Sequence, residues 1–422
     1  MTARPDETFP QRGAPVGLAP PGPVLGVGIV GYGFMGDAHS QAWRTAGHVF
    51  DLPLRPVMAA LCGRDGAAAA TAAARHGWAA VETDWRALIA RDDVQLVDVC
   101  TPGDRHAEIA IAALRAGKHV LCEKPLANSV AEAQAMAQAA TLARDRGAAS
   151  MVGFNYRRVP ALALARRLIA DGRIGQLRHI RVAYLQDWLA DAAAPLTWRL
   201  QRERAGSGAL SDLGSHIVDI AEFLTGDRLA GVSGISRTFV TERPLPAAPG
   251  QEPRTGPVTV DDAVVFVASF ASGAAASFEA TRCATGRKNA LRIELNGDRG
   301  SIAFDLERLN ELEIYEPAGN DTPRNNPSGN NRSENNAAAD DTAGFRRVLV
   351  TEPSHPYLSA WWPPGHTLGW EHTFTHEVRD LVVAIAEGAD PEPSFDDGLR
   401  VQRILAAVAE SADNQSRWTI VD

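Results

Sequence analysis

Cysteine is scarce in this chain. Four residues, Cys62, Cys100, Cys122 and Cys283, occur among 422, and none forms a C-x-x-C pair. A disulfide framework is therefore not indicated, and reduced thiols in a cytoplasmic protein are the expectation. Long apolar runs are missing too: nothing approaches the ~18 residues needed to cross a bilayer. No block of Lys and Arg appears and the formal net charge is -9, which argues against a nucleic-acid or anionic-membrane partner and favours a small ligand. The opening MTARPDETFPQRGAPVGLAPPGP lacks the apolar stretch of a secretory signal, and its Pro, Gly and charge predict a disordered tail over residues 1–23.

What is present is a 45% hydrophobic chain long enough for two domains. Apolar runs GVGIV, VMAALC, AAV, QLVDVC, HVLC and SMVGF, between residues 26 and 154, alternate with Ala-rich helical stretches. Strands that are apolar throughout and separated by helices indicate a parallel sheet covered on both faces, so residues 24–153 read as a doubly wound Rossmann domain. Beyond Phe154, runs such as AVVFVASF, AAASFEATRC and ALRIELNG alternate apolar with polar residues, the pattern of an antiparallel sheet with one solvated face. Residues 154–422 are accordingly expected to form an α+β substrate and oligomerisation domain. Helices are expected near 159–171, from Ala209, over Glu371–Glu387 and after PSFDDG. The Asn-rich 317–344 stretch reads as a disordered loop.

Gly31, Gly33 and Gly36 form a G-x-G-x-x-G directly behind the first strand and at the start of a helix. The first glycine permits a tight turn, the second admits a pyrophosphate to the backbone, and the third lets helix and strand approach. With Phe34 and Met35 this makes the helix N-terminus a phosphate cradle. The second strand ends in Gly63-Arg64-Asp65 where an acid for the adenosine ribose is usual. Arg64 can pair with a 2'-phosphate, stack on adenine or be a plain surface cation, and Asp65 can reach a ribose hydroxyl. NAD and NADP both stay open.

Three further stretches carry chemistry. TPGDRH (Thr101, Pro102 and His106) follows the fourth strand, and Glu123-Lys124-Pro125 follows the fifth, so these groups are expected to border the nicotinamide end of the crevice. A single Lys at a strand end is usually a solvated charge; the shared edge gives this one a functional reading. In GSGALSDLGSHIVDIAEFLTG, Asp212 and His216 are spaced i, i+4 on one helix face. A lone His among Ile217, Val218 and Ile220 would be a core residue, whereas a carboxylate one turn earlier can fix its tautomer and tune its basicity.

In this order and separation, the glycine motif, AGKHVLCEKP and the D-x-x-x-H helix resemble the glucose-fructose oxidoreductase, inositol dehydrogenase and rhizopine-catabolism (Gfo/Idh/MocA) family. FNYRR, YLQDW, Trp198-Arg199, AGSGAL, EATR and GRKN look closest to its levoglucosan dehydrogenase-like sugar 3-dehydrogenases. The resemblance implies metal-independent oxidation of a secondary hydroxyl on a pyranose or cyclitol by an NAD(P)-dependent dimer or tetramer. It implies Lys124, Asp212 and His216 as the catalytic trio. Tyr156, Arg158, Gln186, Asp187, Trp188, Trp198 and Arg199 become the substrate-pocket candidates. One departure stands out: the family's T-P-N-x-x-H reads Thr101-Pro102-Gly103-Asp104-Arg105-His106, so an Asn near the coenzyme is missing.

Neutral imidazole suits the deprotonation of an alcohol near neutral pH, an ammonium suits a developing alkoxide, and Gln186, Asp187 and Trp188 offer polar groups and a flat apolar face to a polyol. Rival readings are a zinc enzyme using His372 and His376, an NAD-dependent glycosidase of the same fold, and a coenzyme-sensing regulator without activity.

Overall fold

The computed structural model describes residues 22–246, 254–317 and 343–422. The expectations for the N-terminal tail and the Asn-rich excursion lie almost wholly outside these residues. In the first half, strands β1 (Val24–Val30), β2 (Arg55–Cys62), β3 (Ala80–Glu82), β4 (Leu96–Val99), β5 (His119–Glu123) and β6 (Ser150–Gly153) form one parallel sheet, ordered β3-β2-β1-β4-β5-β6. Helices α1 (Phe34–Val49), α2 (Gly66–His76), α3 (Trp85–Ala90), α4 (His106–Arg115) and α5 (Val130–Arg144) make the crossovers. The strand order reverses between β1 and β4, which opens the crevice at their carboxyl ends where such sheets bind ligands.

The second half contributes α6 (Pro160–Ala170), β7 (Leu177–Leu185), the short α7 (Arg202–Ala205), α8 (Ser215–Thr225) and β8 (Leu229–Arg237). A small β9 (Glu242–Pro244) and β10 (Thr255–Pro257) hairpin follows, then β11 (Ala263–Phe270), β12 (Ala275–Thr281), β13 (Ala290–Gly297), β14 (Ser301–Asp305), β15 (Glu311–Tyr315) and β16 (Arg346–Leu349). The chain ends with α9 (His372–Glu387), α10 (Phe395–Asp413) and β17 (Thr419–Ile420). Nine of these strands build a sheet ordered β16-β15-β14-β13-β7-β12-β11-β8-β17, antiparallel except at the β7–β12 pair. Burial alternates along β11, with Val264, Phe266 and Ala268 inside and Val265 and Val267 exposed, as one solvated face demands.

The last two helices do not stay with the second sheet. α9 packs on α1, while α10 spans α5, β6 and β8. The apolar face of α9, Phe374, Val378, Leu381 and Val382, shares a core with Val27, Trp43 and Ala46 of the first half. Its other face is polar: Thr373, His376, Glu377 and Asp380 recur at i, i+3, i+4 and i+7. They grip the turn at 155–158, where Asn155 Nδ2 donates to Thr373 Oγ1 at 2.8 Å, His376 Nδ1 to Arg158 O at 3.0 Å, and Arg158 Nε to Asp380 Oδ2 at 3.1 Å.

This placement corrects the pocket assignment of Arg158. The residue is 3% exposed, with its guanidinium held by Asp380 and the Glu392 carbonyl and 3.7 Å from Glu377, so it ties α9 to the turn at 155–158. His376 is likewise committed, since its Nε2 accepts from Trp361 Nε1 at 2.8 Å. With both ring nitrogens engaged, its pairing with His372 is not that of two open ligands.

Burial pushes the Glu377 carboxyl up to about 8, against the pull of Arg158. The folded state then holds this proton more tightly than the unfolded chain, whose value is about 4.5. The resulting stabilisation is complete below 4.5 and lost as pH rises through about 8. Glu377→Gln is expected to flatten that part of the stability–pH curve in urea unfolding. Arg158→Ala, which removes the buried cation beside Glu377 and leaves Asp380 to Arg379, should cost about 3 kcal/mol, the lower end for a broken buried pair.

Candidate active site

The glycine turn fits a dinucleotide. Gly31 has φ +110°, and a Cβ there would lie 2.5 Å from Cys100 O; one on Gly36 would lie 2.2 Å from Gly31 O. Both glycines are therefore demanded by close packing. A Cβ on Gly33 would meet nothing within 4 Å, which leaves open space beside the N-terminus of α1. That terminus has no side-chain cap, so its first N–H groups, at Phe34 and Met35, remain for an anion. Gly63 has a local reason as well, because a Cβ would fall 1.9 Å from the Tyr32 ring. No acid fits there. Arg64 is exposed, and Asp65 caps α2 by accepting from the N–H groups of Ala67 and Ala68 at 3.0 and 3.1 Å.

Two expected coenzyme contacts serve the frame. His106 is 1% exposed and bonds Thr101 O at 2.9 Å and Pro125 O at 3.0 Å, joining the loop after β4 to the loop after β5. Glu123 is 4% exposed; its Oε1 accepts from His39 Nε2 at 2.9 Å and its Oε2 from Lys124 N at 3.1 Å. The other nitrogen of His39, Nδ1, reaches Asp98 at 3.0 Å, and Asp98 also accepts from Trp43 Nε1 at 2.7 Å. Burial alone would strip the His39 proton, but Asp98 overrides it and holds the imidazole well above its usual value. An imidazolium between two carboxylates thus anchors the backbone of Lys124 from behind.

Lys124 Nζ donates to Asp212 O at 2.9 Å and lies 3.4 Å from Asp212 Oδ1, while Arg282 Nη1 stands 3.8 Å from Oδ2. Burial opposes the Asp212 charge, yet Lys124, Arg282 and Arg199 outweigh it and hold the carboxyl below its ordinary value. Residues Leu210–Gly214 are wound as a π-turn, and the α-helix begins only at Ser215. The wider winding breaks the i, i+4 register that a continuous α-helix would give. Consequently the Asp212 carboxylate faces Lys124 and Arg282, and among the described residues no hydrogen bond joins it to the His216 ring. The expected Asp–His couple is replaced by an Asp–Lys couple.

His216 is 6% exposed, packed 4.6 Å from the Tyr156 ring and edge-on to Phe154 and Tyr184. Its Nδ1 is buried without a partner. Burial, reinforced by the Lys124 charge, pulls its imidazole well below the usual value, so the ring is neutral and a nitrogen is free to accept a proton. Beside it runs a hydrogen-bond chain whose direction can be assigned. Asn289 Oδ1, an acceptor, takes Tyr184 O–H at 2.7 Å and Gln186 Nε2 at 2.7 Å. Tyr184 having spent its proton, Tyr156 donates to it at 2.8 Å, leaving the Tyr156 oxygen able to accept a further bond.

Gln186 Oε1 in turn accepts from Trp188 Nε1 at 3.0 Å. Asp187 is held by Lys288 at 2.7 Å and the Gly286 N–H at 3.1 Å, and turns toward the GRKN loop. Trp188 is 43% exposed with the Arg282 guanidinium 5.6 Å from its ring, and Arg199 covers the Trp198 ring at 4.5 Å. The structure also brings in residues that the motifs did not single out. Asn289 and Arg282 lie within GRKN and EATR, and His39 follows Gly36 by three residues on α1. Trp370, stacked on Phe34 at 5.4 Å with a buried, unpaired Nε1, had no sequence signal beyond its residue type.

A parallel Rossmann sheet with an uncapped glycine turn, its strand-end Lys124 facing Asp212 and His216 of a second domain, defines a nicotinamide-coenzyme oxidoreductase. Residues 25–154 match the oxidoreductase family with NAD-binding Rossmann fold, and residues 162–303 match the GFO/IDH/MocA C-terminal domain. The chain belongs to the GFO/IDH/MocA oxidoreductase family. It is 42% identical to levoglucosan dehydrogenase of Pseudarthrobacter phenanthrenivorans, over 94% of this chain and 98% of that one. A crystal structure of an oxidoreductase domain protein from Kribbella flavida is 61% identical, with TM-score 0.86 over 95% of this chain and 100% of that one. The levoglucosan dehydrogenase complex with NADH and levoglucosan has TM-score 0.84 at 42% identity, over 94% of this chain and 99% of that one.

If His216 is the group that must be neutral, the acid limb of kcat/KM has its midpoint below 6.5, and His216→Gln abolishes that limb. A pH–rate profile whose acid limb lies above 6.5 would assign the base elsewhere.

Proposed function

We propose that this protein is an NAD-dependent dehydrogenase that oxidises a secondary hydroxyl of a pyranose sugar or cyclitol without a metal. The observation that carries the reading is a neutral, unpaired imidazole at His216 beside the Lys124 ammonium, the two contributed by opposite halves of the molecule. When bound, the coenzyme supplies a hydride acceptor at its nicotinamide. His216 takes the hydroxyl proton. The Lys124 ammonium meets the negative charge that develops on the same oxygen and so supplies the role a metal would otherwise fill. Asp212, fixed as a carboxylate, keeps Lys124 aimed across the domain boundary.

Substrate choice follows from the donors and acceptors around this pair. The Trp370 N–H approaches the Tyr156 oxygen beside His216, and the exposed Trp188 ring offers a flat face to a sugar ring. The similarity to levoglucosan dehydrogenase supports a rigid pyranose as substrate and NAD as coenzyme. The Arg64 side chain, exposed at the end of β2, gives NADP a secondary place. A second copy of the chain against the open face of the nine-stranded sheet, where Ile235, Val265 and Val267 are exposed, accounts for an oligomer. No helix among the described residues is long and apolar enough to cross a membrane, and the free thiols of Cys62, Cys100, Cys122 and Cys283 support a cytoplasmic protein.

A panel of pyranoses, anhydrosugars and inositols with NAD and NADP tests the reading by absorbance of the reduced coenzyme. NADH is expected to accumulate with at least one anhydropyranose, with or without chelator. Lys124→Ala and His216→Ala should bind NADH normally yet turn over at least ~100-fold more slowly. Near-normal rates in both, or sugar cleavage without net NADH, would overturn it.

A further inference from the structure

The missing Asn at position 103 has a structural counterpart. A Cβ built on Gly103 would lie 2.5 Å from Asn128 Oδ1 and 3.4 Å from its Cγ, so the amide of Asn128 fills the space in which any side chain at 103 would begin. Asn128 comes from the loop after β5, four residues beyond Lys124. Its Nδ2 donates to Arg204 O at 2.9 Å, across the domain boundary. On that side Gly206, with φ +73°, approaches so closely that a Cβ would lie 3.1 Å from both Cβ and O of Asn128. A glycine from each domain thus makes room for Asn128, Gly103 for its amide and Gly206 for its backbone. Arg204 also reaches back, its Nε 3.7 Å from Asp104 Oδ2.

We infer that Asn128 is a positioning residue for the coenzyme, supplying from a different loop the amide that Gly103 lacks, and that residues 103 and 128 act as a coupled pair. The Thr101–Gly103 turn stands at the carboxyl end of β4, on the crevice edge, and it has three neighbours. His106 ties it to Pro125, Asn128 presses on Gly103, and α7 closes over both. Asn128 Oδ1 and Thr101 Oγ1 are both buried without a partner, so Asn128 meets the turn by shape, while Arg204 reaches both, its carbonyl accepting from Asn128 Nδ2 and its guanidinium facing Asp104. Coenzyme seating therefore depends on which of the two positions carries the side chain. The inference rests on the dehydrogenase reading only in taking NADH as the ligand at this edge.

The test is a double-mutant cycle read by NADH titration, with thermal unfolding and KM for NAD alongside. Gly103→Asn, forced against Asn128, should weaken NADH binding at least ~10-fold, the scale of a misplaced positioning group. Asn128→Gly should raise KM for NAD while leaving kcat at saturation close to that of the unmodified protein. The double variant should regain most of the affinity that Gly103→Asn loses. Should Gly103→Asn not fold, Gly103→Ala with Asn128→Ala runs the same cycle with a smaller group. Losses that simply multiply in the double variant, or single variants within about twofold of the unmodified affinity, would overturn the coupling. An unmodified protein that fails to bind NADH would instead overturn the dehydrogenase reading, so the two failures are distinguishable.

Discussion

The arrangement hangs on one ion pair that neither domain can make alone. Lys124 rises from the end of β5, Asp212 from a π-turn in the second half, and the ammonium both donates to the Asp212 carbonyl and faces its carboxylate. With the lysine side chain only 15% exposed, solvent screens the pair less than it would at the surface. Each partner also has a second anchor. Lys124 is held through its backbone by Glu123 and the His39 imidazolium, and Asp212 through Arg282. Removing the Asp212 carboxylate would leave a largely buried ammonium without its carboxylate, whereas removing Lys124 would leave Asp212 to Arg282, which is why the electrostatic frame is larger than the chemistry it serves.

The same frame divides the ionisable groups by state. His39, wedged between two carboxylates, is held protonated; His216, in an aromatic pocket beside a cation, is held neutral; Glu377, in a dry interface, is driven toward the protonated form. Two imidazoles from one chain end in opposite charge states because one has acids for neighbours and the other has rings and an ammonium. That separation lets His216 serve as a base while an equally buried imidazole stays charged.

Much of this was legible from residues alone, and the reasons are specific. A parallel sheet announces itself through apolar runs separated by helices, and a glycine turn through backbone demands that no other residue meets. Lys124 was legible through its place at a strand end, where sheet topology dictates exposure to the crevice. It is also conspicuous in a chain that uses arginine for nearly every other cation. The failures share a cause. The i, i+4 reading of Asp212 and His216 assumed α-helical winding, and a π-turn is a tertiary outcome with no periodic signature. Arg158 sits in a motif that resembles a pocket wall, but its partner helix lies more than 200 residues away in sequence. His39, Asp98 and Glu123 are far apart in the chain and meet only once the sheet is assembled.

The return of α9 and α10 to the first half bears on how such a chain can be recombined. A nucleotide-binding module cut after β6 would leave bare the surface of α1 that α9 covers and the surface of α5 that α10 covers. The unit of exchange is therefore the front segment together with the tail of the polypeptide. A graft that swaps the central sheet while keeping both ends respects the physical seams, whereas a cut at the apparent linker does not.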